Sequence, residues 1–127
     1  ILKHPNWKMG KKITIDSSTM MNKVFEIIEA KKIFNLKYNQ LGIITHPKSY
    51  IHAIIKFTDG MIKLIAHDTT MKIPIFNTLY FNTSAKIKSK EIQIKKLKNL
   101  NLKKINSKKY PMVKILNFIP NKNSLFE

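Results

Sequence analysis

The chain has 127 residues and carries 24 basic against 7 acidic side chains, a formal net charge of +17. It has no cysteine, which excludes disulfides and thiolate metal sites. A hydrophobic fraction of 43% supports one modest core, while lysines, histidines and Pro47 interrupt every apolar run before it reaches bilayer length. Three glycines, none in a Gly-rich strand–turn–helix pattern, exclude a nucleotide-binding Rossmann unit within the chain. The charge invites a nucleic-acid or ribosome-binding reading, because lysines neutralise phosphates. Yet every basic residue is lysine, and arginine, the usual reader of guanine and phosphate forks, is absent. Beyond Asp68 the acids are Glu91 and Glu127 alone, so the imbalance lies mainly in one half. The joint abundance of Lys, Asn and Ile reads as the codon bias of an AT-rich genome. A basic field of this kind also steers small anions toward a site.

In chain order, His4-Pro5-Asn6-Trp7 followed by Met9-Gly10 reads as a loop. Trp7 on such a loop is either a lid or an anchor packed onto the body. Lys12–Ile15 suggests a short strand leading into a helix from Ser17 to Phe34, with Asp16 or Ser17 as its N-cap. Met20, Val24, Ile27 and Ile28 recur at helical spacing and predict a buried stripe. Asn22, Glu26 and Glu29 share the opposite face, and Lys23 stands three residues before Glu26, within reach of it. The runs LGIITH and HAIIKF, separated by Pro47-Lys48-Ser49, suit strands. Asp59-Gly60 is a turn signal, and MIKLIA is expected to pair back as a hairpin. Pro74 sits in the first turn of a helix expected to end near Phe81. Residues 83–109 are Lys-rich and read as a linker, with a strand at IQIK. Tyr110-Pro111 opens a further helix, MVKILNF, cut by Pro120.

These elements predict an α+β fold, a small mixed and partly antiparallel sheet backed by helices, with a lid loop at the N-terminal end. The expected divisions are a catalytic-domain portion at 1–82, the linker at 83–109 and the start of a helical region at 110–127.

The stretch DSSTMMNKVFEIIE carries the chemistry. A helix N-terminus has partial positive charge and unpaired N–H donors, which suit a phosphate. Ser17, Asn22 and Lys23 complete such a cradle, and Glu26 adds a carboxylate one turn on. A capped, solvated surface helix with a Lys–Glu pair has the same pattern. His46, His52 and His67 match no metal-ligand spacing and read as polar residues near strand ends.

HPNWKMGKKITIDSSTMMNK closely resembles the catalytic domain of the 1-deoxy-D-xylulose 5-phosphate reductoisomerase family, whose pattern is roughly HPNWxMGxKIxxDSATMMNKGLExIEA. HPKSYIHAIIKFTDG is similar to the family's HPQSxIHSxVxxxDGS, and TTMKIPIFNTLYFN more weakly to PDMRxPIxxxxxWP. YPMVKIL is faintly like YPCLKLA. Together these stretches cover most of the chain but only part of the enzyme. The resemblance implies a fragment of a longer polypeptide with an upstream NADPH domain, two further metal carboxylates before Ile1 and a downstream helical domain.

What the resemblance implies for single residues is specific. Glu26 matches a carboxylate that binds Mg²⁺ or Mn²⁺. Ser17, Asn22 and Lys23 match ligands of the substrate phosphate. His4 matches a lid histidine closing on that phosphate, and Trp7 the indole covering the substrate, so His4, Trp7 and Glu26 form the implied catalytic group. Met9 and Met71 match methionines flanking the nicotinamide, Ser49 falls on the cofactor side, and His52 lies near the site. Glu29 is expected to support Glu26. A homodimer, a sugar phosphate substrate, no nucleic-acid or membrane partner and a cytoplasmic location (plastid in a eukaryote) come with the family. The chain departs from the pattern at Ser18, at Val24-Phe25 in place of Gly-Leu, at Thr69-Thr70 in place of Pro-Asp, and at Phe81-Asn82 in place of Trp-Pro. A diverged phosphate-binding paralogue is the second alternative.

Overall fold

The computed structural model describes residues 10–91 and 93–122. The lid loop expected around His4, Trp7 and Met9 therefore lies outside the described residues. Two compact units divide the chain, one of residues 1–45 with 103–127 and one of residues 46–102. The compositional boundary at 82 falls inside the second unit and the one at 109 inside the first.

The first unit is built on two helices, α1 (Lys11–Thr19) and α2 (Met21–Phe34). The expected strand at Lys12–Ile15 is helical instead. Its β-branched residues favour a strand only as a weak prior, and packing of α1 against α2 overrides it. Thr14, only 3% exposed, donates its hydroxyl to the Gly10 carbonyl at 3.1 Å. Lys12 pairs with Asp16 across one turn at 2.8 Å. The single helix expected from Ser17 to Phe34 is likewise two, because Met20 adopts the left-handed conformation (φ 62°, ψ 17°) between them. Asp16 and Ser17 consequently lie within α1 and cap nothing.

Along α2 the predicted apolar stripe holds. Val24 is fully buried, Met20, Ile27 and Ile28 are half-buried, and Glu26 and Glu29 are exposed. Lys31 is buried too, with Nζ 5.2 Å from the centroid of the Tyr38 ring. Asn35 (φ 51°) ends α2 in the left-handed cap that asparagine tolerates. The expected helix at MVKILNF is a 3₁₀ segment, Pro111–Asn117, that packs on α2. A two-residue antiparallel ladder joins β1 (Ile44–Thr45) to β4 (Lys103–Lys104).

The second unit holds the predicted hairpin. Here β2 (Ile51–Lys56) and β3 (Ile62–Ala66) pair antiparallel. Asp59 Oδ1 accepts the Met61 N–H at 2.9 Å, and Gly60 takes φ 90°, the conformation for which a glycine is suited. Residues 54 and 55 point to opposite faces of the hairpin, yet Ile54 (37%) and Ile55 (40%) are both exposed, as are Leu64 and Ile65. Both faces are thus apolar and uncovered within this unit, the pattern of strands that are buried on two sides in a larger fold. The remaining helices are α3 (Lys72–Leu79), with Pro74 in its first turn as expected, and the single turn α4 (Ile94–Leu97). The strand expected at IQIK is replaced by that turn, since Ile94 and Lys95 are helical. Lys48 holds the turn's end by donating from Nζ to the Lys95 and Lys98 carbonyls. Among the described residues, no helix is long and apolar enough to cross a membrane.

Candidate functional site

The break at Met20 determines what the DSSTMMNK stretch can do. It starts a fresh 14-residue helix at Met21, with Asn22 and Lys23 in its first turn, where the Met20 carbonyl accepts the Lys23 and Val24 N–H groups at 3.1 and 3.3 Å. The helix N-terminus nearest these residues belongs to α2 and not to a helix starting at Ser17. Ser17, in the last turn of α1, is brought beside it. Its Oγ accepts from Asn22 Nδ2 at 3.4 Å, a long and weak bond. The neighbouring Ser18 and Thr19 hydroxyls turn back to the Ile15 carbonyl at 2.8 and 3.0 Å. Asn22 Oδ1 accepts the Lys23 N–H at 2.9 Å, which fixes the amide with its NH₂ toward Ser17. A hydroxyl, an amide and a helix N-terminus thus converge.

Lys23 and Glu26 form the predicted pair, and the geometry is closer than one contact. Lys23 Nζ donates to both carboxylate oxygens at 2.8 Å. Their side chains are 43% and 55% exposed, so the pair is solvated and open to exchange with ligands. Glu29 is exposed on the same face of α2, one turn further on. Glu26 supplies one carboxylate, and among the described residues no group of three His, Cys, Asp or Glu side chains stands close enough to hold a metal. A hard cation fits here only with Glu26 as one of several oxygen ligands, as is usual for Mg²⁺.

In the second unit, Met71 caps α3 and is exposed at the edge of an apolar cleft of about 480 Å³, lined also by Thr70, Ile75, Phe76, Tyr80 and Ile87. Ser49 has left-handed backbone (φ 47°) in the turn before β2. His52 is the extra residue at a register shift of β2, a bulge that turns its ring onto that of His67. The rings stack at 3.6 Å, and His52 Nε2 lies 3.1 Å from the His67 carbonyl. Among the described residues, His46, His52 and His67 belong to no group of three that could hold a metal ion. His46 Nε2 bonds the backbone of Ile51 at 3.1 Å, and its Nδ1 is buried without a hydrogen-bond partner.

Two features have no counterpart in the sequence pattern. Lys96 Nζ donates to Asp68 at 2.8 Å while lying 5.1 Å from the Tyr50 ring centroid. The hydrogen bond from Lys96 and its charge, with Lys90 and His67 adding to it, lower the Asp68 pKa, and desolvation opposes them. Nothing in the local pattern pairs residues this far apart. The Met20 kink has no signal either, since methionine is not a turn residue.

In sequence and overall fold this chain is similar to several known proteins. The family described as 1-deoxy-D-xylulose 5-phosphate reductoisomerase C-terminal domain matches residues 1–34. A 1-deoxy-D-xylulose 5-phosphate reductoisomerase of Pelagibacter ubique is 70% identical over 126 residues, covering 99% of this chain and 32% of the relative. The Chloroherpeton thalassium enzyme of the same name is 55% identical over 74 residues, 58% of this chain and 19% of its own. A crystal structure of DOX-P reductoisomerase in complex with NADPH, fosmidomycin and magnesium superposes with a TM-score of 0.80 at 35% identity, over 92% of this chain and 29% of that one. The Zymomonas mobilis reductoisomerase with NADPH gives a TM-score of 0.78 at 30% identity, over 91% and 29% of the two chains. The likeness read from the sequence therefore runs through the whole chain and its α+β fold, and the chain spans about a third of the first of these relatives.

Proposed function

We propose that this chain is a segment of a 1-deoxy-D-xylulose 5-phosphate reductoisomerase. That enzyme converts its substrate to 2-C-methyl-D-erythritol 4-phosphate with NADPH and a divalent metal in non-mevalonate isoprenoid synthesis. One observation carries the reading. Ser17, Asn22, Lys23 and Glu26 gather at one helix end in a sequence 70% identical to such an enzyme. The two uncovered apolar faces of the β2–β3 hairpin also suit a part of a larger protein.

In this reading the first unit holds the anionic end of the substrate. The Ser17 hydroxyl, the Asn22 amide and the first-turn N–H groups of α2 donate to the phosphate oxygens, and Lys23 neutralises their charge. Glu26 offers an anionic oxygen to Mg²⁺ or Mn²⁺, and Glu29 adds negative charge on the same face. When bound, the metal polarises the carbonyl and hydroxyl oxygens of the substrate. In the second unit the resemblance assigns Met71 and Ser49 to the cofactor. The resemblance assigns His4, Trp7 and Met9, which lie outside the described residues, to a lid over the substrate and the nicotinamide. The full-length enzyme is a homodimer acting on a small sugar phosphate in the cytoplasm, or in the plastid of a eukaryote, without nucleic-acid or membrane partners.

The test is made on the full-length protein by following NADPH oxidation. Glu26→Gln is expected to abolish metal-dependent turnover, and Lys23→Ala to raise KM for the sugar phosphate. Near-normal turnover in the first variant would sink the metal assignment. An unchanged KM in the second would sink the phosphate assignment.

A further inference from the structure

The Lys23–Glu26 contact sets two assigned roles against each other. Both oxygens of the proposed metal carboxylate accept from the ammonium proposed to bind phosphate, each at 2.8 Å. A cation on Glu26 competes with Lys23 for the carboxylate lone pairs, and a phosphate on Lys23 competes with Glu26 for the ammonium donors. From this geometry we infer that the Lys23–Glu26 pair is a reciprocal latch, by which metal and substrate phosphate each open the site for the other. The inference rests on the proposed function and deepens it.

The latch works by exchange of partners. Lys23 and Glu26 neutralise each other until a ligand arrives. A divalent cation takes the carboxylate oxygens, and the released ammonium stands one residue from Asn22 at the N-terminus of α2, where the phosphate is expected. Whichever ligand binds first weakens the ion pair, and the second then finds its partner less tightly held. Linkage requires the effect to be equal in both directions. Because both side chains are about half exposed, the pair is weak and the coupling modest, about two- to fivefold in each affinity. A latch of this strength favours the doubly loaded site without holding either ligand out.

The test measures binding to the full-length protein, with Mn²⁺ as the metal and methylphosphonate as the anion, by calorimetry and by the electron paramagnetic resonance signal of free Mn²⁺. Saturating methylphosphonate is expected to lower the Mn²⁺ Kd about two- to fivefold, and saturating Mn²⁺ to lower the methylphosphonate Kd by the same factor. Lys23→Met opens the latch permanently. It should bind Mn²⁺ without phosphonate as tightly as the unaltered protein does with it, and added phosphonate should tighten it no further. Lys37→Met removes the same charge elsewhere and should leave the Mn²⁺ Kd and the coupling unchanged. Independent binding of the two ligands, weaker Mn²⁺ binding by Lys23→Met, or an equal gain in Lys37→Met overturns the latch while leaving the site intact. Failure of either ligand to bind the unaltered protein removes the proposed site, and the latch with it.

Discussion

Val24→Gly restores the residue that the family pattern places beside Lys23, and the structure predicts that it is harmful here. Val24 is fully buried on the apolar stripe of α2, so its side chain fills the first unit's core and does not crowd the solvated Lys23–Glu26 face. Burying a valine side chain contributes about 1.5–3 kcal/mol, and glycine inside a helix costs about 0.3 kcal/mol relative to valine, itself a poor helix former. The loss is then about 1.8–3.3 kcal/mol, an upper estimate because the unfolded chain already hides some apolar surface. At 1.4 kcal/mol per decade this raises the opening equilibrium of α2 by about two orders of magnitude. Native-state hydrogen exchange of the α2 amides in the full-length protein reads that quantity directly. KM for the sugar phosphate, measured where the variant stays folded, should be unchanged. Protection lowered by less than about tenfold would show that Val24 is not packed as described. A lower KM with intact protection would show that it obstructs the site.

Three other outcomes follow from particular contacts. Met20→Val puts a β-branched side chain at φ 62° and should cost about 1–3 kcal/mol, seen as lost α2 protection together with weaker methylphosphonate binding. Asp68→Asn removes a carboxylate whose pKa lies below the ordinary 3.8 in the folded protein. Its stabilisation is present above 3.8 and lost as pH falls through the lowered value, so acid unfolding followed by circular dichroism should lack this component in the variant, which is also less stable at neutral pH. Lys48→Met removes the charge that binds the Lys95 and Lys98 carbonyls and should speed hydrogen exchange at α4 while leaving α2 unaffected.

The amount of this fold that can be read from the sequence depends on the range of the interaction responsible. The hairpin is legible because Asp59-Gly60 sets its own turn through an Asx bond and a positive φ. The Lys23–Glu26 pair is legible because helical spacing alone brings i and i+3 together. The buried stripe of α2 and the first-turn position of Pro74 rest on the same local periodicity. Ser17, Asn22, Lys23 and Glu26 stand out as a group because they share one short stretch, so no distant contact is needed to bring them together. The strand readings at Lys12–Ile15 and IQIK fail for the opposite reason. β-branched composition is a weak local preference, and what decides such a segment is whether a neighbouring strand or a neighbouring helix receives it.

The sequence by itself determined the chemistry on offer: the hydroxyl, amide, ammonium and carboxylate of one short stretch, the absence of thiols, and a likeness that runs the length of the chain. Tertiary structure alone decided where the helix breaks. Met20 has no intrinsic preference for the left-handed region, and it is held there between two helices packed on each other. That break moved the helix N-terminus from Ser17 to Met21 and brought Ser17 back against Asn22. Tertiary structure likewise joined Lys96 to Asp68 and Tyr50, and His52 to His67, contacts that carry no local signature. Side chains far apart in sequence meet only after the backbone has closed the loop between them, and the energy that holds them there comes from the surrounding packing and not from either residue's own preference.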